Sequence, residues 1–319
     1  MSNSKSHGRG RTAYQLAAAL SAAATIFALQ AQPASAGLPS PGGGAWDFSQ
    51  KGAALDLTGY QVTFDDEFTT ADVACYDWAP VGSHRWYVYN NVTIALGAVH
   101  CTPGAVGANV SPDVFVNNHL LVLGAHRRNG VWNTGAVQTF DPHGEGFDQQ
   151  YGYYEASIKL PAATPAGVNL WPAFILDSGH VYPGTAYEVT ELDVLEAWSN
   201  AGTAYDGYNQ VTLHSWPATP ANLSILPTHE QAPFMTAVKA FDGNWHTYGV
   251  RFTPTYWTIY IDRKEVGRYP VNQALMNKPM WMQLNLGISP TTLPSTANAD
   301  YWMYVNAVHV YACMTSACQ

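Results

Sequence analysis

Trp245-His246-Thr247-Tyr248-Gly249-Val250-Arg251-Phe252 is followed, after Thr253-Pro254-Thr255-Tyr256, by Trp257-Thr258-Ile259-Tyr260-Ile261-Asp262 and then by Arg263-Lys264-Glu265-Val266. Both long runs are rich in aromatic and β-branched residues, which fit a pleated, half-buried surface. Tyr260 to Val266 reads as a hairpin with a polar tip. The same texture recurs outward in both directions: His119 to Leu123, Tyr151 to Leu160 and Trp302 to Tyr311 all read as strands. Helical periodicity is weak, with Asn272 to Met276 offering one turn. No internal repeat or linker divides the chain. Many short strands in one domain predict an all-β fold, a sandwich of antiparallel sheets.

Composition narrows the class. The chain has 319 residues and a formal charge of −9; 12% of residues are charged and 13% aromatic. The charged share is about half the roughly 25% usual for a soluble domain. A disordered chain shows the reverse, high charge with few aromatics. A nucleic-acid binder carries a basic patch, but the only basic pairs singled out are Arg127-Arg128 and Arg263-Lys264. Sustained charged heptads are missing, which excludes a coiled coil.

The N-terminus reads as an export signal. Lys5, Arg9 and Arg11 precede an apolar, Ala-rich run from Leu16 to Leu29, and Ala34-Ser35-Ala36 supplies a small-x-small cleavage site. The apolar run is shorter than the roughly 20 residues that span a bilayer. Residues 1–36 are therefore expected to be removed, with no membrane attachment afterwards and a secreted product. The loss of three basic residues and no acidic ones makes the remainder more acidic than −9. Residues 37–58 form a lead-in, Pro/Gly-rich to Gly44, and 59–319 the domain itself. Its four cysteines, Cys75, Cys101, Cys313 and Cys318, suggest two disulfides in an oxidising compartment. Three pairings exist, and proximity favours Cys75–Cys101 with Cys313–Cys318. No C-x-x-C pair or nearby His cluster supports a metal site.

Glu191-Leu192-Asp193-Val194-Leu195-Glu196 places three acids within six residues. On a regular strand Glu191 and Asp193 share a face, while Glu196 falls on the other. One extra residue between Asp193 and Glu196, a β-bulge, brings all three to one face and leaves Leu192 and Val194/Leu195 to pack behind. Aligned carboxylates repel, which raises at least one pKa. Retaining glycoside hydrolysis needs such a set: an ionised nucleophile and a protonated acid about 5–5.5 Å apart. Asp193, between them, can hydrogen-bond the nucleophile and share its proton. Read alone, the six residues also suit a solvated edge strand or a Ca2+ site.

The surroundings resemble glycoside hydrolase family 16, the laminarinase, lichenase and agarase relatives. The hexapeptide is similar to that family's E-x-D-x-x-E signature in its bulged form. Phe64-Asp65-Asp66-Glu67-Phe68 resembles its "DEF" strand, Tyr151-Gly152-Tyr153-Tyr154-Glu155 its "YGxYE", and Leu170-Trp171-Pro172-Ala173-Phe174 its "LWPAFW". Trp245 to Tyr269 resembles "FHTYGVEWTP…YVDGKEV", and Met280–Gly287 and Tyr304–Tyr311 its closing strands. The likeness runs in order from Gln61 to Tyr311.

The resemblance implies a concanavalin A-like jelly roll of two curved antiparallel sheets with a concave sugar-binding cleft. It casts Glu191 as nucleophile, Glu196 as acid/base and Asp193 as the assisting carboxylate. Trp171 would stack on a sugar, His214 and Asn285 would contact substrate, and Gln283 shares the Asn285 face. Trp198, next to the motif, would line a subsite or the core, Glu155 would stand in the cleft, and His246 is a packed, hydrogen-bonded strand residue.

Departures concern specificity. Val189-Thr190 replaces the Trp-Pro usual before the first catalytic Glu in laminarinases, and Ser157 replaces an Arg; an "NxExQxY" segment has no counterpart. Asn306 stands where many members hold a structural Ca2+ with an Asp, and a neutral amide oxygen is a weaker ligand. The chemistry itself needs no cofactor. The expected function is endo-acting, retaining hydrolysis of a neutral β-linked polysaccharide by a monomer, with a β-1,3- or β-1,3-1,4-glucan as substrate. The alternatives are a transglycosylase, a hydrolase of galactan, xyloglucan or agar, and a lectin-like binder.

Overall fold

The structure is a computed structural model that describes residues 45–75, 84–88, 101, 106–140, 145–178, 187–219, 230–271, 277–289, 291–292, 295 and 297–315. The expected signal peptide, the run to Gly44, the helical turn at Asn272–Met276 and Cys318 lie outside these residues.

The strands, in chain order, begin with β1 (Tyr60–Asp66), β2 (Val73–Cys75), β3 (Trp86–Val88), β4 (Val114–Asn117), β5 (Leu120–Arg128) and β6 (Val131–Gln138). They continue with β7 (Gly152–Lys159), β8 (Leu170–Asp177), β9 (Tyr187–Ala197), β10 (Tyr208–Thr219) and β11 (Glu230–Lys239). The last five are β12 (Trp245–Phe252), β13 (Tyr256–Ile261), β14 (Lys264–Pro270), β15 (Trp281–Ile288) and β16 (Ala299–Cys313). Pairing is antiparallel throughout except between β2 and β3. One sheet runs β11-β10-β9-β8-β15-β6 and the other β5-β16-β7-β12-β13-β14, with β5 pairing β6 to join them. The fold is all-β, the sandwich that the strand pattern predicts and the jelly roll that the resemblance implies.

The alternation in each strand decides what lies between the sheets. Leu192, Val194 and Leu195 of β9, Leu170, Phe174 and Leu176 of β8, and Met282, Leu284 and Leu286 of β15 are buried in the core. They meet Tyr154, Ala156 and Ile158 of β7 and Val305, Val308 and Val310 of β16. Each large apolar side chain buried this way contributes about 1.5–3 kcal/mol. The intervening residues of β8, β9, β10 and β15 face away from the core, and the polar ones among them build the site.

The connections follow turn chemistry. Asn129-Gly130 joins β5 to β6 with φ of 52° and 85°, the two-residue turn whose twist matches its strands. Asp262-Arg263, the predicted polar tip, joins β13 to β14 with φ of 51° and 57°. Residues of the lead-in lie against the sandwich: Asp47 and Ala54 bridge to Arg268 and Lys264 of β14, and Trp46 packs on Phe234 and Tyr269. Cys75 is bonded to Cys101. Cys313 is also disulfide-bonded.

Candidate active site

The bulge anticipated from parity is present. Against β8, Ala173 pairs with Glu196 and Phe174 with Leu195, but Ile175 pairs with Asp193, so Val194 is the extra residue. Against β10, Gln210 pairs with Glu196 and Thr212 with Asp193 across the same slip. Glu191, Asp193 and Glu196 consequently share the face turned away from the core.

Each acid has a different environment. Glu196 is buried; its Oε1 accepts a hydrogen bond from Trp171 Nε1 at 2.9 Å and its Oε2 one from Thr212 Oγ1 at 3.4 Å. Burial and then the Asp193 charge push its carboxyl from 4.5 up to about 8, against the opposing pull of His214 and the Trp171 bond. Asp193 is buried and meets His214 Nε2 through Oδ2 at 2.9 Å. Glu191 is half-buried and stands opposite His214 in register. Burial alone would lower the His214 pKa; its bond to Asp193 and the charges of Asp193, Glu191 and Glu196 outweigh that and carry it to about 9. A cation therefore sits among three acids, and the acid that stays protonated near neutrality is the buried Glu196.

The remaining predicted residues divide. Trp171 and Trp198, both half-buried, stack with centroids 6.0 Å apart beside Glu196. Asn285 and Gln283 stand on the same side of β15: Gln283 Nε2 donates to Asn285 Oδ1 at 3.1 Å, and Asn285 Nδ2 to the Trp171 carbonyl at 3.2 Å. They thus hold the Trp171 backbone in place. Glu155 is not brought there. Its strand, β7, belongs to the other sheet, and Tyr154 and Ala156 point to the core, so Glu155 faces outward. It is tied to Arg263 at 2.5 and 3.1 Å, to the Tyr153 hydroxyl at 3.0 Å and to His309 at 3.5 Å. The expected cleft position for Glu155 is therefore corrected. His246 bonds Asp262 and Asp242, as a structural histidine does.

Two residues escaped the sequence reading. Thr212 donates to Glu196, and the Asn209 side chain on β10 bonds the backbone of the bulge at Val194 and Glu196. The only signal for Asn209 is an amide in a run, Tyr208 to Leu213, where strand formers dominate. Asn306 lies exposed at a bulge in β16. Among the described residues, the His, Cys, Asp and Glu side chains that could group around a metal are Asp65/Glu67/His309 and Glu191/Asp193/His214.

A sandwich whose outward sheet face aligns three carboxylates, the last of them buried beside paired tryptophans, belongs to the glycan-cleaving class of β-sandwiches. The chain is a member of the glycosyl hydrolases family 16, whose family model matches residues 114–305. None of the curated proteins matches it. Among solved structures it is similar to SCLam, a non-specific endo-β-1,3(4)-glucanase, at 20% identity and a TM-score of 0.56, covering 85% of this chain and 97% of that one. An endo-glucanase from Bacteroides ovatus gives 20% and 0.55 over 77% and 99%. A κ-carrageenase from Pseudoalteromonas carrageenovora gives 17% and 0.51 over 79% and 95%. At these identities the likeness establishes the shared fold.

Proposed function

We propose that this protein is an exported, endo-acting, retaining hydrolase of β-linked polysaccharide, with a β-1,3- or β-1,3-1,4-glucan as substrate. The observation that carries the reading is the split among the aligned carboxyls: Glu196 is held protonated up to about 8, while Glu191 shares its face beside the His214 cation. Glu196 donates its proton to the departing glycosidic oxygen as Glu191 attacks the anomeric carbon, forming a covalent glycosyl-enzyme. Glu196, now a carboxylate, takes a proton from water, which attacks the same carbon and releases Glu191. Asp193, paired with His214, places its charge beside Glu196 and helps hold that proton. Trp171 and Trp198 offer flat apolar surface to sugar ring faces. Neutral glucan suits a chain of charge −9 better than a sulfated polymer does.

One experiment tests export and chemistry together. Protein recovered from the medium of a secreting host should begin at Gly37 and cleave laminarin or lichenan to oligosaccharides, leaving xyloglucan, agarose, galactan and carrageenan intact. Glu191→Gln and Glu196→Gln should each lower kcat by at least about 10³-fold while remaining folded. Azide should rescue Glu191→Ala to an α-glycosyl azide. A β-azide would overturn the retaining mechanism, and binding without cleavage across the panel would make the protein a lectin.

A further inference from the structure

The bulge that aligns the three acids has a cost that its own strand cannot meet. The extra residue shifts the ladder, leaving backbone polar groups between Asp193 and Glu196 without regular partners. Buried groups of that kind are paired in native proteins. Here a side chain supplies the pairing. Asn209 Oδ1 accepts from the Glu196 N–H at 3.2 Å, and Asn209 Nδ2 donates to the Val194 carbonyl at 3.3 Å. Asn209 is fully buried, paired with Ala197 in register, and its own carbonyl accepts from Thr236 Oγ1 of β11 at 3.0 Å. The Asn209 backbone is thus tied to β11, and its side-chain amide grips β9 on either side of Leu195.

We infer that Asn209 is a positioning residue for the acid/base: its amide locks the bulge and so sets where the Glu196 carboxyl stands. The chemistry is selective. A primary amide presents one acceptor and one donor in a plane, which matches one N–H and one C=O. An aspartate would keep the acceptor but turn a second oxygen toward the Val194 carbonyl. A leucine would leave both backbone groups unpaired in a buried site. With the grip lost, the Glu196 backbone is free to relax toward regular pairing, a shift that would turn its side chain from the Trp171 indole N–H toward the core. The inference rests on the proposed acid/base role of Glu196 and adds the device that holds it.

The test compares Asn209→Leu and Asn209→Asp with wild type, using lichenan and an aryl β-glucan oligosaccharide with a dinitrophenolate leaving group, which departs without protonation. Asn209→Leu should lose about tenfold or more in kcat/KM on lichenan and less than about threefold in kcat/KM on the aryl substrate, since kcat/KM reads the glycosylation step in which that leaving group needs no proton. The alkaline limb of its kcat/KM profile should move by about half a unit or more. Asn209→Asp should fall between, and supplies the same readouts if the leucine variant does not fold. Equal losses in kcat/KM on both substrates, or an unmoved alkaline limb in a folded variant, would overturn the inference. Wild-type protein inert on both substrates would instead defeat the proposed function. In that case the 13C carboxyl titration of Glu196, in the same proteins, decides for Asn209: the expected result is a shifted midpoint in the variants, and an unshifted one overturns it.

Discussion

His214 is a cation enclosed by acids, and its charge acts on each of them. It pairs with Asp193, stands across from Glu191, and pulls the Glu196 pKa down against burial. Removing that charge should therefore raise the Glu196 pKa further, because a carboxylate without a nearby cation is harder to form. His214→Asn keeps a polar side chain of similar reach and cannot titrate. The expected outcome is an alkaline limb displaced to higher pH, with kcat/KM down about tenfold or more as Asp193 loses its partner. A limb left in place or displaced to lower pH would show that the His214 charge does not hold down the pKa that governs the profile. Trp171 acts differently. Its indole N–H also favours the carboxylate form of Glu196, so its bond helps the acid/base in the second half of the reaction, when Glu196 must accept a proton.

The hairpin of β13 and β14 shows what Glu155 does instead of binding sugar. Asp262 and Arg263 both hold left-handed conformations, which cost of order 1 kcal/mol each for residues with a side chain. Asp262 is fixed by the Thr247 N–H at 3.0 Å and by His246. Arg263 reaches past β12 to grip buried Glu155 with two nitrogens. The strand between them carries Gly249 opposite Glu155, where a Cβ would come within 2.3 Å of the Tyr153 hydroxyl. Burial alone would raise the Glu155 pKa, but bonds from His309 and Arg263 prevail and hold it low. Arg263→Ala should cost about 1–3 kcal/mol, below the full penalty of breaking a buried pair because Arg263 is half in solvent and His309 remains. Urea unfolding measures that loss, and kcat should stay within about twofold. A variant that loses activity without losing stability would return Glu155 to the cleft. The face that Glu155 occupies was legible in the alternation of Tyr153 to Ile158; the sheet to which β7 belongs was not, since strand order is a tertiary property. The bulge in β9 could be read from parity because three acids and three aliphatics had to part company. Asn209 could not, because nothing local shows which residue of the next strand will face a bulge. β16 extends beyond the predicted Trp302–Tyr311 at both ends because β5 pairs its first half and β1 its last, contacts that no local pattern contains.

At the scale of the molecule, the site and the outer face load the fold with opposite pH dependences. Glu155 has a lowered pKa, so it binds its proton less tightly folded than unfolded, and its contribution is lost as pH falls through its folded value. Glu196 is the reverse. Its pKa rises from 4.5 to about 8 on folding, so the native state keeps that proton and loses stability as pH climbs through that window. His214, raised from 6.5 to about 9, gives a contribution that is complete below 6.5 and gone above 9. The two site groups therefore weaken the fold together between pH 6.5 and about 8, and His214 alone continues to about 9, whereas exposed carboxylates are fully ionised there and contribute no slope. The melting temperature should fall from pH 6.5 to pH 9. Glu196→Gln should be more stable than wild type at pH 9, because its amide does not ionise, and should show a shallower decline. Calorimetry across that range decides the matter, and parallel curves for the two proteins would mean that Glu196 does not hold its proton in the folded state. The acid that is costly to the fold at high pH is the one whose retained proton the proposed first step of cleavage needs, so shallower melting and lost lichenan cleavage should appear in the same variant.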